Sequence, residues 1–417
     1  MMMRINYKLN KNHMPWMMLG WLLVIQVLVA FVGRSIAPLG ILIGEDLSLT
    51  KAQIGMLPAA LFLGQSIVSI PAGLLTDQMG SRKMLLLLSV FLGTGFVMMT
   101  FTSSLFLLLC AIVIGGLGYG ASHPATNRGI LRWFPAERRG IAMGIKQMGV
   151  TFGSALAALL LLPLASDWGW RPAILAGSSI LLLTGMFTYI MYDEPRQKTN
   201  STAAAGKRNP MTCWALLRHK ALVYVSLSAL ILSGSQMIVN TYLVLFSYER
   251  LGISLFLSGT LLVLSEAGGS VGRICWGVIS DRFFNSKRLI VLVIIAVMAA
   301  VISMIVALLP AGTSYIVMVP VAFLFGFSVS GFNGIWMNAT TELVPEEQSG
   351  IATGFSITVG SWGVVAGPPL FGWIVDMSGS FMSGWLFISF MMGIVVMLLL
   401  NVMSVKKEES KKIKHFS

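Results

Sequence analysis

Apolar runs of about 20 residues recur along the whole chain, and they constrain its fold more than any other feature. An α-helix of ~20 apolar residues spans a hydrocarbon layer ~30 Å thick. With 56% hydrophobic and only 11% charged residues, the chain lacks the polar surface of a soluble domain. The runs predict twelve membrane-spanning helices, at about residues 15–38, 52–75, 83–103, 105–131, 140–164, 172–192, 220–246, 255–278, 289–309, 314–340, 350–374 and 381–404.

The twelve runs form two groups of six. Residues 1–192 are predicted to form an N-terminal six-helix bundle and residues 220–404 a C-terminal one. The polar segment 193–219 is interpreted as a cytoplasmic linker and residues 405–417 as a basic cytoplasmic tail. The first run reaches about Pro38 without a small-residue cleavage site, so we expect a retained helix rather than a signal peptide.

Basic residues are concentrated on alternate loops. If the N-terminus is cytoplasmic, 22 of the 29 Lys and Arg residues lie in cytoplasmic segments. Only Lys51, Arg171 and Arg250 lie on the opposite side. The positive-inside rule then predicts a multi-pass protein of the inner (plasma) membrane with both termini in the cytoplasm. The net charge of +13 is thereby explained by topology, and no nucleic-acid partner is expected.

The two halves repeat each other. Gly73-Leu-Leu-Thr-Asp77, followed by Arg82-Lys83, recurs 204 residues later as Gly277-Val-Ile-Ser-Asp281, followed by Lys287-Arg288. A second match, at an offset of 210, aligns Gly140-Ile-Ala-Met-Gly144 with Gly350-Ile-Ala-Thr-Gly354. Duplicated six-helix halves are typical of transporters that rock two bundles about a central site.

These motifs resemble those of a known family. Gly73-Leu-Leu-Thr-Asp77-Gln-Met-Gly-Ser-Arg82-Lys83 resembles the loop 2–3 signature of the major facilitator superfamily. Within it, Arg34 with Ile-Ala-Pro38, Trp133-Phe-Pro135 and Trp168-Gly-Trp170-Arg171 resemble the organic-anion symporters, a group that includes galactonate transporters and sialin. The resemblance implies the twelve-helix, all-α major facilitator fold and secondary transport by alternating access. The arginine and the proton-coupling glutamate in the fourth helix of those symporters align here with Ile112 and Tyr119.

Four cations lie inside the predicted helices, namely Arg34, Arg128, Lys146 and Arg273. A charged side chain at a helix centre costs ~2.5–3.5 kcal/mol on insertion scales and persists mainly where it faces a cavity. Because buried acids are few, the excess of positive charge favours an anionic ligand.

The four cations have different expected roles. Arg34 matches the first-helix arginine that binds the substrate carboxylate in the resembling symporters, and the alternative is a residue that snorkels to the interface. Arg273 resembles the eighth-helix arginine of monocarboxylate and oxalate carriers, and the alternative is an ion pair with Asp281. Lys146 is a candidate substrate ligand between Gly144 and Gly149, whereas a gating or snorkelling role is expected of Arg128.

Other polar groups complete the predicted site. We expect coupling through Glu266, a carboxyl group seven residues before Arg273, with help from His123. The alternative is that Glu266 merely neutralises Arg273. Further candidates for the substrate site, for which ordinary packing is the alternative, are Tyr119, Asn240, Asn333 and Trp336.

The signature loops are expected to gate the carrier. Asp77 is predicted to cap a helix or form an ion pair, and Arg82 and Lys83 to neutralise helix C-termini. Gly73 is expected to permit close helix contact. Asp281 and Arg282 are expected to have the corresponding gating role in the second half of the chain. The alternative is that these loops only orient the protein in the membrane.

These observations favour a secondary active transporter of a small organic anion, a carboxylate or sugar acid, with protons as the candidate coupling ion. A drug or cation:proton antiporter is the alternative, although such exporters need membrane acids for their substrates. A non-transporting sensor or a membrane enzyme would need a signalling domain or a catalytic cluster, and neither is visible in the sequence. We therefore expect no enzymatic activity, no cofactor and no metal, and a monomer in the lipid bilayer. The three cysteines, Cys110, Cys213 and Cys275, are too far apart for a metal-ligand motif.

Overall fold

The computed structural model describes residues 14–194, 219–345 and 348–416, and all regular structure in these segments is helical. The described chain forms two compact units. The first contains residues 14–36 and 60–194, and the second contains residues 37–59 and those from 219 onward. Most of the predicted linker, residues 195–218, lies outside the described residues.

The helices of the first half of the chain are Met14–Gly33, Ile36–Asp46, Lys51–Met79, Ser81–Met99, Leu105–Gly120, Ser122–Trp133, Ala136–Leu156, the π-helix Ala157–Leu161, Leu162–Trp168 and Trp170–Met191. Those of the second half are Lys220–Glu249, Leu255–Phe283, Arg288–Leu308, Tyr315–Val329, Asn333–Thr341, Ser349–Ser378 and Phe381–Phe416.

Within the described residues, these helices form twelve segments that are long and apolar enough to cross a membrane. We number them spans 1 to 12: Met14–Asp46, Lys51–Met79, Ser81–Met99, Leu105–Trp133, Glu137–Trp168, Trp170–Met191, Lys220–Glu249, Leu255–Phe283, Arg288–Leu308, Tyr315–Thr341, Ser349–Ser378 and Phe381–Val405. All twelve predicted helices are confirmed. The first runs further than predicted, to Asp46, and the last helix continues beyond residue 404 to Phe416.

Three interruptions in the first six spans lie close to prolines. A proline has no N–H for the carbonyl oxygen four residues earlier. Pro38 therefore offers no helical N–H donor to the carbonyl oxygen of Arg34, and span 1 breaks there, between Gly33 and Ile36. Pro124 likewise offers none to the carbonyl oxygen of Gly120, and span 4 breaks at Ala121. Pro163 follows the π-helix of span 5, and a local π adjustment is one way in which a membrane helix accommodates a proline. Arg34 thus lies at a break of its helix.

Glycines bring the spans of each unit together. In the first unit, a Cβ on Gly64 of span 2 would overlap the carbonyl oxygen of Val113, and one on Gly116 of span 4 would overlap that of Leu61. The second unit repeats this arrangement in spans 8 and 10, where a Cβ on Gly326 would overlap the carbonyl oxygen of Ser265. The backbones of these paired spans are therefore in direct contact, as small-residue packing permits in membranes.

Further pairs of spans complete each unit. In the first unit, span 1 packs on span 5 and span 3 packs on spans 4 and 6. In the second, span 7 packs on span 11, span 8 on span 10 and span 9 on span 12. The same pairing pattern in both units agrees with the internal repeat.

The start of span 2 is held within the second unit. The Asp376 carboxylate accepts hydrogen bonds from the backbone N–H groups of Lys51 (3.0 Å) and Ala52 (2.8 Å). The ammonium group of Lys51 pairs with Glu249, and the hydroxyl of Tyr242 lies 2.7 Å from the Lys51 carbonyl oxygen. A carboxylate at a helix N-terminus satisfies free N–H groups and complements the helix dipole. Asp376 therefore acts as an N-terminal cap supplied by another helix.

Candidate functional site

Arg34 and Tyr119, two residues of the predicted substrate site, are in contact in the first unit. Nε of Arg34 lies 3.4 Å from the Tyr119 hydroxyl oxygen, a long hydrogen bond. The Tyr119 ring is buried, lies against Gly33 and meets the edge of Phe62 at a centroid distance of 5.9 Å. Tyr119 therefore orients the guanidinium group without cancelling its charge, at a position where the resembling symporters carry a glutamate.

Lys146 on span 5 is a buried cation with neutral partners. Its side chain is 2% exposed, and its Nζ lies 2.9 Å from Oδ1 of Asn127 and 3.3 Å from Nδ1 of His123. Among the described residues, no carboxylate lies within ion-pair distance of this ammonium group. A charge buried in this way is costly unless something compensates it. An anionic ligand would supply that compensation.

The helix Ser122–Trp133 presents both partners of Lys146. His123 and Asn127 are four residues apart and so lie on one face of the helix. His123 also lies within electrostatic range of both Lys146 and Arg34. We call Arg34, Tyr119, His123, Asn127 and Lys146 the cationic cluster. Sequence reasoning did not include Asn127 in the site, although its spacing from His123 was a usable signal.

Glu266 on span 8 lies in a second polar cluster, in the other unit. Its side chain is 4% exposed, and its Oε1 accepts a hydrogen bond of 3.2 Å from Nδ2 of Asn240. Within the described chain, the buried Oδ1 of Asn240 has no hydrogen-bond partner. An amide donor suits either charge state of a carboxyl group, because Oε1 can accept in both. Glu266 and Asn240, predicted separately, are thus brought together.

The break in span 10 organises the polar residues beside it. The helix Tyr315–Val329 ends there, and the Ser330 carbonyl oxygen accepts hydrogen bonds of 3.3 Å from both Arg273 and Asn333. The amide nitrogen of Asn333 also lies 3.4 Å from Oε1 of Gln236, a residue that sequence reasoning missed. Arg273 and Asn333, both predicted site residues, therefore share one backbone acceptor.

Trp336 has a structural contact. Its side chain is buried, and its indole N–H donates a 2.9 Å hydrogen bond to the hydroxyl of Ser356 on span 11. Because the only polar atom of the side chain is used inside the second unit, the geometry favours the packing alternative for this residue.

The first signature loop forms a charged network. Asp77 and Glu194 each lie 3.7 Å from the Arg128 guanidinium group, at Nη1 and Nε respectively. Arg82 donates a hydrogen bond of 2.5 Å to the carbonyl oxygen of Tyr189, in the last turn of Trp170–Met191. This contact places a cation at a helix C-terminus, where the helix dipole favours it. Glu194 was not among the residues predicted from sequence.

Among the described residues, Arg288 and not Arg282 makes the ion pairs of the second loop. Nη1 of Arg288 lies 2.5 Å from Asp281, and its Nε lies 3.3 Å from Glu342. Arg282 is exposed. The alternative of an ion pair between Arg273 and Asp281 is not what the structure shows, since Asp281 pairs with Arg288. Sequence reasoning overlooked Arg288 because it counted that residue only as loop charge.

Two further expectations concern the first loop. A Cβ on Gly73 would meet no atom within 4 Å among the described residues, so the expected close helix contact is absent there. That contact is made instead at Gly64, nine residues earlier, where the spans approach each other. Lys83 is exposed, and its expected role at a helix C-terminus stays a prediction.

Comparison with known proteins supplies the family. The profile described as Major Facilitator Superfamily matches residues 22–368. The chain is 26% identical over 283 residues to a probable sulfoacetate transporter of Cupriavidus necator, a match that spans 64% of this chain and 65% of that protein. It is 22% identical over 363 residues to the hexuronate transporter of Bacillus subtilis, which covers 82% of this chain and 84% of that one.

A solved structure supports the fold. The crystal structure of a bacterial homologue of the human lysosomal transporter Spinster, in an inward-facing and unoccupied conformation, matches with a TM-score of 0.75. The match has 18% sequence identity and covers 94% of this chain and 96% of that one. This likeness shows the fold, and the profile match over most of the chain shows that the protein belongs to the Major Facilitator Superfamily.

Proposed function

We propose that the protein is a secondary active carrier of a small organic anion, a carboxylate, sugar acid or sulfonate, that works by alternating access in the plasma membrane. The observation that carries the proposal is Lys146, a buried cation whose partners among the described residues are all neutral groups. The names of two relatives, transporters of sulfoacetate and of hexuronate, support the same class of substrate.

The cationic cluster suits an acid group. The Lys146 ammonium has three N–H donors, of which Asn127 and His123 engage two. Arg34 adds a guanidinium group, whose planar fork matches two carboxylate or sulfonate oxygens. A cationic drug would face repulsion from these charges, which argues against the antiporter alternative.

Glu266 is our proposed proton site in the second unit. Its side chain is buried, and the Asn240 amide can donate to it in either charge state. A buried carboxyl group that changes its protonation state during the transport cycle would couple anion movement to a pH gradient.

Uptake into proteoliposomes tests the function. The panel contains labelled sulfoacetate, D-glucuronate, D-glucarate and D-galactonate, with ethidium as a cationic comparison, each with and without an imposed pH gradient. We expect saturable uptake of at least one acid and none of ethidium. Ethidium export without transport of any acid would support the antiporter alternative, and binding of an acid without its movement would support a sensor.

A Glu266→Gln variant tests the coupling site. Glutamine keeps an oxygen that accepts from Asn240 but cannot bind a proton. We expect loss of accumulation driven by the pH gradient while counterflow exchange of the same anion continues. If accumulation against a gradient survives this substitution, Glu266 is not the coupling residue.

A further inference from the structure

We propose that Lys146 and His123 form a proton site that is linked to the substrate: the pair holds one proton when the cationic cluster is empty and two when an anion is bound. The inference rests on the proposed function. It adds a route for proton binding in the first unit that involves no carboxylate and is separate from Glu266.

The contact between Lys146 and His123 constrains the protonation of the pair when no anion is bound. Nζ of Lys146 and Nδ1 of His123 are 3.3 Å apart. With Lys146 charged, its ammonium group can only donate, which assigns Nδ1 as the acceptor and the imidazole as neutral, with its hydrogen on Nε2. The pair then carries a single positive charge. A second proton would have to bind at Nδ1, which is the atom that Lys146 occupies.

An anion changes this balance in two ways. When Lys146 donates to the anion, it no longer needs Nδ1, which becomes free to bind a proton from water. The negative charge also offsets the second positive charge, which in the empty site would repel Lys146 across 3.3 Å. Asn127 keeps the ammonium in place throughout, at 2.9 Å. Proton and anion therefore promote each other's binding, because linkage is reciprocal.

The charged groups around His123 are consistent with this assignment. Lys146 from span 5 and Arg34 from span 1 act on it from the neighbouring elements. Both are cations that would oppose a second proton in the empty site. Span 3 also packs on the helix of His123, and its titratable residues, both in its first turn, are Arg82 and Lys83. On span 4 itself the other titratable residues are Cys110, Tyr119, Arg128 and Arg132.

Anion affinity measured against pH tests the pair. The probes are sulfoacetate and D-glucuronate, titrated into the purified full-length protein between pH 5 and 8, where their acid groups stay ionised. Uptake of one proton per anion predicts that the affinity rises tenfold for each unit by which pH falls, until the empty site itself becomes protonated. A pH indicator in weakly buffered solution should record about one proton bound per anion through this pair.

A His123→Gln variant should remove the pH dependence of anion affinity that this pair supplies, because an amide at this position cannot titrate. His123→Asn is the second variant if the first does not fold, and anion binding at any pH shows that the site is intact. The matched control is His219→Gln, since His219 caps the helix Lys220–Glu249 outside the cluster, and this variant should keep the wild-type slope.

The outcomes separate this inference from the proposed function. A His123→Gln variant with the wild-type slope would overturn the proton pair, as would wild-type binding without proton uptake while anion transport is intact. Failure of every acid in the panel to be transported would instead overturn the proposed function. A Glu266→Gln variant should keep the dependence of anion affinity on pH that His123 supplies. Loss of that dependence would assign the proton to Glu266.

Discussion

Lys146→Met should weaken anion binding and yet leave the protein with a stability close to that of the wild type. Methionine has a similar length and keeps the apolar stem, but it removes the charge. Lys146 is 2% exposed and pairs with no described carboxylate. The substitution therefore separates the contribution of the ammonium group to the free energy of anion binding from its unfavourable contribution to the free energy of folding.

The two effects have opposite signs. A hydrogen bond between an ammonium group and an anion contributes about 1.5–3 kcal/mol, which corresponds to roughly a 10- to 150-fold loss of affinity. A lysine at a helix centre costs ~2.5–3.5 kcal/mol on insertion scales. Its removal also takes the Lys146 donor from Asn127 and His123, at about 1–3 kcal/mol for each group, or about 2–6 kcal/mol together. The two terms are of similar size, so we expect a stability close to that of the wild type.

The assay combines anion affinity with thermal unfolding of the purified protein. Lys220→Met is the matched control, because it makes the same substitution at an exposed lysine at the start of span 7. A Lys146→Met variant that binds the anion as tightly as the wild type would refute the anion site. One that unfolds well below the wild type would show that Lys146 is structural.

The remaining predictions concern the other cations, topology and a helix cap. Arg34→Ala and Arg273→Ala should each severely impair anion transport without preventing membrane insertion. Lysine at either position should restore little transport where the guanidinium fork binds two oxygens. Transport by a well-inserted double alanine variant would contradict this. A reporter active only in the periplasm, fused after Ser417, should stay silent, and activity would reverse the predicted topology. Asp376→Ala should lower stability by about 0.5–2 kcal/mol, the typical worth of an N-cap, with thermal unfolding as the measurement and an unchanged midpoint as the contrary result.

The spans were predictable because hydropathy and charge are local properties of sequence. Length and apolarity fix where a helix can cross a membrane, so even short loops such as that around Gly80 were placed within a few residues. The interruptions were visible too, in Pro38 and Pro124, but hydropathy averages over a helix and does not register a single missing hydrogen bond. The break at Arg34 therefore came from the structure.

The site was only partly predictable, because partners are set by packing between spans that are distant in sequence. Lys146 and His123 could each be named as unusual residues in an apolar helix. Their contact across 23 positions could not be derived from the sequence. The same holds for Arg288, whose pairing with Asp281 and Glu342 depends on where span 9 begins.

The glycine contacts between spans 2 and 4 and between spans 8 and 10 bear on how motion in this carrier can be followed. Where Gly64 meets the backbone of span 4 and Gly326 meets that of span 8, no side chain lies between the helices to be repacked. We therefore expect each pair to keep its spacing when the protein changes conformation. Spectroscopic labels placed on both members of a pair near these glycines should report a constant distance, and the motion of other helices can be measured against it.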